Sequence, residues 1–340
     1  MIIWRSHIKI VGSPGRSRID LCLNKSVLAM GWSLNDRHLE EHNFSEDEKR
    51  KICKQRAAIK SYEDYASLIK EWKVYNAKGI VNANIRRLYY DVKPDDLISI
   101  SNVLEETTID FVNGKIILDG DDVGEASQWV YDSSKEILES DSTTQRTCIE
   151  WHKVGDEFHV PGRVVDAFIL GATLQRINSD AVELFSKHYY NTKIDNNCYK
   201  DLSIRADQEM FYSLISSTDC EDLVYAYLFS EYGYIVIPST NKQSTALFEC
   251  VLLDPKDRTH IYIQVKKGKV DIDANAFRHL QGKVFLFTSE GNVTNLDDND
   301  ENIKRISPEK LFDFAMSDAA KNIVSDSISY WTEYMRQELS

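Results

Sequence analysis

The stretch HIYIQVKKG, residues 260 to 268, decides how the C-terminal part of this chain is read. Ile261, Ile263 and Val265 alternate with His260, Tyr262, Gln264 and Lys266, the period of a strand with one face packed. The other face then carries an amide and an ammonium side by side, at Gln264 and Lys266. A solvated strand end explains a lone lysine. The reading therefore depends on what the neighbouring sequence sets beside the pair.

Upstream, STALFECVLLD reads as a strand with Glu249 in its middle, where an apolar residue is expected, and the turn PKDR folds it back beside residues 260 to 266. Before it come the helices ADQEMFYSLI and TDCEDLVYAYLFSEYG, the second with an early acid at Glu221, and the strand YIVIPS. After it come helix-like DANAFRHL and the strand KVFLFTS. A helix, three strands, a crossover helix and a fourth strand make an α/β domain over residues 201–340. SPEKLFDFAMSDAA and a helix around SISYWTEYMRQEL are placed to cover its sheet. The polar stretch YYNTKIDNNCYKDLSIR, residues 189 to 205, breaks the helical pattern and sets the boundary.

Residues 1–200 read as an α+β domain with a curled sheet. Segments such as IDLCLNKSVLAMGWSL and GKIILDG are β-like. SEDEKRKICKQRAAIKSYEDYASLIKEW reads as one helix with an N-cap at Ser45 and Glu48 three residues on. A second short helix, VNANIRRLYYDV, leads into the turn and strand of KPDDLISI. The HVPGR turn reads as a hairpin corner presenting Arg163, and Arg176 lies in a second polar stretch; both are candidate phosphate contacts. GSPGRSR near the start lacks the Lys-Ser/Thr ending of a phosphate-binding loop.

The bulk numbers narrow the classes. A chain of 340 residues, 42% hydrophobic and 28% charged, has the composition of about two folded domains. No run approaches the roughly 18 apolar residues of a membrane span, and the start has no signal-peptide core, so a soluble cytoplasmic protein without membrane partners is expected. Six cysteines at positions 22, 53, 148, 198, 220 and 250 show no CxxC pair, which favours free thiols over disulfides or structural zinc. The net charge is −13. Residues 201–340 hold 14 Lys and Arg against 23 Asp and Glu, a balance of −9. This argues against nonspecific coating of nucleic acid, and any contact with phosphate needs a local patch such as Lys266, Lys267 and Lys269.

Residues i and i+2 of a strand share a face, so Gln264 and Lys266 project together with the Val265 carbonyl between them. Phosphodiester cleavage needs oxygens to hold a divalent cation and a positive charge to orient water and offset charge on the phosphate. Glu249 on the adjacent strand completes such a set, and its burial without a cation or metal would be costly.

On these residues the sequence resembles the PD-(D/E)xK nuclease superfamily and, within it, the Mrr-like restriction endonucleases, whose last motif is often QxK. The resemblance covers about residues 218 to 290: a helix with an early acid ending at Gly233-Tyr234, the acid-bearing strand, YIQVKKG and KVFLFTS. It implies a restriction-endonuclease-like mixed central sheet flanked by helices. It also implies Mg²⁺ or Mn²⁺ on Glu249 and Gln264, Lys266 assisting the attacking water and Glu221 supporting the metal. Two departures stand out. The strand acid is Glu rather than the usual Asp, with no glycine turn before it, and Asp254 is a rival at the rim of the sheet. Lys267 and Lys269 are candidate phosphate contacts.

The N-terminal domain resembles PUA/EVE-like modules in Gly31-Trp32, NIRRLYY and KPDDLISI. That resemblance implies recognition of modified bases or RNA, with Trp4, Trp32 or Trp151 as stacking candidates. The whole implies a metal-dependent DNA endonuclease of bacterial restriction or anti-phage defence, with a homodimer and a gating partner or activator as expectations. The alternative is an inactive nuclease fold that acts as a nucleic-acid sensor or partner-binding module.

Overall fold

The computed structural model describes residues 2–7, 22, 26–30, 42–73, 80–94, 96–103, 109–116, 123–126, 131–133, 136–138, 143–146, 149–155, 160–169, 174–193, 204–238, 248–297 and 299–339. The chain is of mixed α and β structure and divides into two compact units, Met1–Glu157 with Ala167–Val182, and Phe158–Asp166 with Glu183–Ser340. Among the described residues no helix is long and apolar enough to cross a membrane.

The first unit is built on β1 (Ile3–His7), which pairs in parallel with β3 (Leu97–Val103) and antiparallel with β10 (Leu174–Ile177). β4 (Ile109–Ile116) and β9 (Ile149–Gly155) extend the sheet antiparallel, giving the order β10-β1-β3-β4-β9. β2 (Leu28–Met30), β5 (Val123–Ala126) and β8 (Thr143–Arg146) form a second small sheet, and β6 (Tyr131–Ser133) pairs with β7 (Glu136–Leu138). The KPDDL turn is fixed by Asp96, a buried carboxylate that accepts from Ile2 N at 2.8 Å, Trp4 Nε1 at 2.9 Å and Lys93 N at 2.9 Å. Three donors satisfy a charge that burial would otherwise penalise. Trp4 is thereby a core residue and not a stacking platform. Trp151 donates to the Val27 carbonyl, and Trp32 lies outside the described residues.

The long helix expected from Ser45 is two helices, α1 (Glu46–Ala57) and α2 (Tyr62–Trp72). The Ser45–Glu48 capping box forms, with Ser45 N donating to Glu48 Oε2 at 2.8 Å. A second box, Ser61 with Asp64, starts α2 and so ends α1. Amphipathic packing then buries Ile52, Tyr65, Leu68 and Ile85, the last on α3 (Ile80–Arg86), which runs on into a π-helical turn over Arg87–Asp91.

In place of the expected hairpin corner, α4 (Gly162–Ile169) starts at the glycine, and α5 (Asp180–Lys193) follows β10. The division between units falls within these two helices. The second unit continues with α6 (Gln208–Leu214), capped by Asp207, and α7 (Ser217–Tyr232), which opens on a Ser216–Asp219 capping box. α7 ends at Gly233, whose φ of 74° is the left-handed conformation that glycine adopts without strain. Its sheet has the order β11-β12-β13-β15-β17: β11 (Ile235–Val236), β12 (Cys250–Leu253), β13 (His260–Lys266), β15 (Lys283–Thr288) and β17 (Ile303–Ile306). β11, β12 and β13 are antiparallel neighbours, whereas β13, β15 and β17 run parallel, so the sheet is mixed. It has one strand more than the sequence suggested. β14 (Ile272–Asp273) and β16 (Val293–Thr294) pair with each other, and DANAFRHL holds a single 3₁₀ turn. α8 (Pro308–Met316) and α9 (Asp326–Leu339) complete the unit.

β15 is buried from Val284 to Thr288, the near-continuous apolar run of a strand covered on both faces. Its entry is tight. A Cβ on Gly282, whose φ is 146°, would stand 2.3 Å from the His260 carbonyl oxygen. Gly282→Ala is expected to destabilise the second unit by roughly 1–3 kcal/mol through strain and displaced backbone. Urea melts of the variant against wild type measure this, and an unchanged midpoint would contradict the assigned approach of the two segments.

Candidate active site

β12 and β13 pair with Cys250 opposite Ile263, which sets Glu249, the residue just before β12, across from Gln264. Glu249 N–H donates to the Ile263 carbonyl at 2.8 Å, so its backbone is held to β13. Two side chains of β13 converge on one oxygen of its carboxylate. Gln264 Nε2 donates to Oε1 at 2.8 Å, and Lys266 Nζ donates to the same Oε1 at 2.9 Å. Gln264 is buried at 4% exposure, while the Lys266 and Glu249 side chains are 41% and 26% exposed. The amide thus forms the floor of the site and the ion pair its rim, where a substrate can reach it.

α7 brings Glu221 to the same place. The helix begins at Ser217, so Glu221 lies in its second turn and Asp219 takes the macrodipole-favoured first turn. Burial, and then the nearby Glu249 and Asp222, push the Glu221 carboxyl up to about 7, and Lys266 only partly opposes them. Cys250 is pushed up to about 11 by burial, which keeps a thiol beside two acids protonated and unreactive at neutral pH. One turn beyond Glu221, the buried hydroxyl of Tyr225 faces the Cys250 thiol, and burial raises its pKa as well. Sequence reading assigns Tyr225 to the core. The signal of its place at the site is its spacing of four from Glu221, which puts both on one helix face.

The structure brings together Glu221, Glu249, Gln264 and Lys266. The other candidates lie elsewhere. Alternation along β13 turns Lys267 away from Lys266: its ammonium donates to the Ile215 carbonyl at the end of α6. Burial lowers its pKa, helped by the charge of Arg163, so it serves a helix terminus rather than a phosphate. Arg163 is exposed in the first turn of α4. Lys269 is exposed beyond Gly268 and stays available as a surface cation. Arg176 is exposed on β10, in the sheet of the first unit. Asp254, the rival acid, is at the opposite end of β12 from Glu249 and accepts from Lys256 N at 3.0 Å in the PKDR turn. His260 is exposed at the far end of β13.

Comparison with protein-family models, curated proteins and solved structures returned no match. The residues themselves therefore carry the functional argument.

The raised pKa of Glu221 has a measurable consequence for the metal-free protein. A carboxyl that holds its proton more tightly when folded contributes stability that is fully present below its ordinary value of 4.5 and lost as pH rises through about 7. Glu221→Gln keeps the shape and removes the charge. In EDTA it is expected to raise the stability of the second unit by roughly 1–2 kcal/mol at about pH 8, after allowing for solvent screening, and to leave it near wild type at about pH 4. Equal effects at both pH values would contradict the raised pKa that burial and the neighbouring acids give Glu221 in the folded protein.

Proposed function

We propose that the second unit is a metal-dependent phosphodiesterase acting on DNA, an endonuclease of the Mrr-like type within the PD-(D/E)xK superfamily, serving restriction or anti-phage defence in the cytoplasm. The observation that carries this reading is the convergence of Gln264 and Lys266 on one oxygen of Glu249, with the protonation-prone Glu221 beside it. The mixed sheet with parallel β13, β15 and β17, flanked by α7, supports it.

The donor set fits a hard divalent cation. Among the described residues no three His, Cys, Asp or Glu side chains stand close enough to hold an ion by themselves. Two carboxylates and an amide oxygen are nevertheless present, and Mg²⁺ keeps several of its waters, so few protein ligands suffice. Burial, and then the crowding of Glu249 and Asp222, lift Glu221 to about 7, and a cation would relieve the crowding. Glu249 and the Gln264 amide oxygen would hold Mg²⁺ or Mn²⁺, and Glu221 would support it. The oxygen and nitrogen of the Gln264 amide exchange places by a simple flip. When bound, the ion supplies Lewis-acid polarisation of the phosphodiester.

Lys266 holds water at the rim and offsets the charge that grows on the phosphate as the bond to the leaving oxygen breaks. Lys269 is the exposed cation next to it on the chain and a candidate contact for the DNA backbone. The first unit is read as the recognition domain, of the PUA/EVE-like kind. A homodimer would cut both strands, and an activating partner would keep the activity in check.

A second reading has its own observation: Lys266 pairs with the Glu249 charge and the Gln264 amide donates to the same oxygen, so the fold can stand as a nucleic-acid sensor without catalysis. Incubating the purified chain with supercoiled plasmid and with phage-derived modified DNA, in Mg²⁺ or Mn²⁺, separates the two. Metal-dependent nicking is expected. Binding without cleavage of either DNA would favour the sensor.

A further inference from the structure

Among the described residues the sheet of the second unit ends at β11, where Ile235 and Val236 pair with Leu253 and Leu252 of β12. Among the described residues β11 pairs with no other strand. Ile237 N–H donates to the Val251 carbonyl at 3.1 Å. Antiparallel strands alternate the direction of their main-chain groups, so the N–H and carbonyl of Val236 face away from β12, toward the open edge. Ile235 is 45% and Val236 40% exposed, and the flanking Phe229 of α7 reaches 52%.

Between this edge and α7 lies a groove of about 560 Å³, walled by Phe229 and Ala226 on the helix side and by Ile323 ahead of α9. Among the described residues Asp222 is the one charged side chain on its walls. Proteins blunt exposed edges with charges, proline or a covering element. Here β11 is two residues long and Pro238 takes the next outward-facing position, so within β11 Val236 alone offers an outward N–H and carbonyl, between exposed apolar side chains. A helix beside an open edge lets an added strand take main-chain hydrogen bonds from one side and side-chain contacts from the other.

We propose that this edge receives an extended segment of a partner protein as a sixth strand, with alternate apolar side chains in the groove against Phe229 and Ile323, and a lysine or arginine set against Asp222. Charge selects the occupant. A basic segment complements Asp222 and a chain of net charge −13, whereas a second copy would bring two such acidic surfaces together. The proposal does not depend on the catalytic reading, although Tyr225, a wall of the groove, also abuts Glu221 and Glu249.

The test uses the full chain and a labelled, end-blocked octapeptide of alternating valine and lysine, read by fluorescence anisotropy. Two control peptides replace its lysines by glutamate or interrupt its centre with proline while keeping the charge. Saturable binding of the first peptide is expected, with affinity at least about tenfold weaker for both controls. Val236→Pro deletes the outward N–H at an edge position that tolerates proline, and should weaken binding by about the same factor. Val236→Thr keeps the N–H and should bind as wild type. Asp222→Lys should turn the preference toward the glutamate peptide. The absence of saturable binding, equal binding of the proline-interrupted peptide, or unchanged affinity in Val236→Pro would overturn the proposal. So would sedimentation showing a dimer of this chain that Val236→Pro dissociates.

Discussion

Lys266→Ala is expected to lower metal-dependent cleavage of supercoiled plasmid by about 10²–10⁴-fold, the range for removing one positioned acid–base or electrostatic group. The side chain is 41% exposed and its ammonium is 2.9 Å from Glu249, so its loss leaves no cavity in the core. With no metal bound, however, it leaves the Glu249 carboxylate without its cation beside Glu221. The melting temperature of the metal-free protein should therefore fall modestly at neutral pH, while turnover in metal falls far more than that loss explains. Lys266→Arg keeps the charge but replaces a compact ammonium by a planar fork and should restore only a small part of the rate. Comparable cleavage by wild type and Lys266→Ala would remove the lysine from the mechanism.

The largest stability effect is expected at Phe287. Its side chain is fully buried, its ring centroid is 5.8 Å from that of Tyr212 on α6, and its strand position pairs with Val265 on one side and Ile306 on the other. Phe287→Ala removes the contact between α6 and the centre of the sheet and leaves a cavity that neighbouring strands cannot close. A loss of about 3–5 kcal/mol is expected, measured as the urea unfolding free energy of the second unit's transition, with Phe287→Leu losing much less. A loss below about 1 kcal/mol in Phe287→Ala would mean that β15 is not the centre of the core.

Much of the second unit was legible because its sequence obeys two clear periods. The alternation of HIYIQVK marks β13, and KVFLFTS reads as a strand, which the structure shows to be buried from Val284 to Thr288. Glu249 stood out as a carboxylate in an apolar strand, and the structure sets it against the amide and ammonium of β13. The extra strand Ile303–Ile306 was hidden because IKRI is four residues long, half charged, and preceded by the acidic loop LDDNDEN. Lys267 could not be placed from its neighbours, since its partner is the Ile215 carbonyl 52 residues earlier. The break between α1 and α2 was legible in principle: Ser61 and Asp64 repeat the capping signal of Ser45 and Glu48, and good helix formers on both sides masked it. At Gly162, the proline-glycine pair reads equally as a turn or as the start of a helix, and the structure shows the helix.

Whether Glu221, Glu249 and Gln264 hold a divalent ion is the central claim, and titration calorimetry of the wild-type chain with Mn²⁺, beside Glu249→Ala, tests it most directly. A single saturable site in the wild type is expected, lost in the variant and matched by an Mn²⁺-dependent rise in melting temperature in the wild type alone, because a ligand that binds only the folded state stabilises it. Equal heats and equal melting shifts in both proteins would place the ion elsewhere and contradict the assignment of this site.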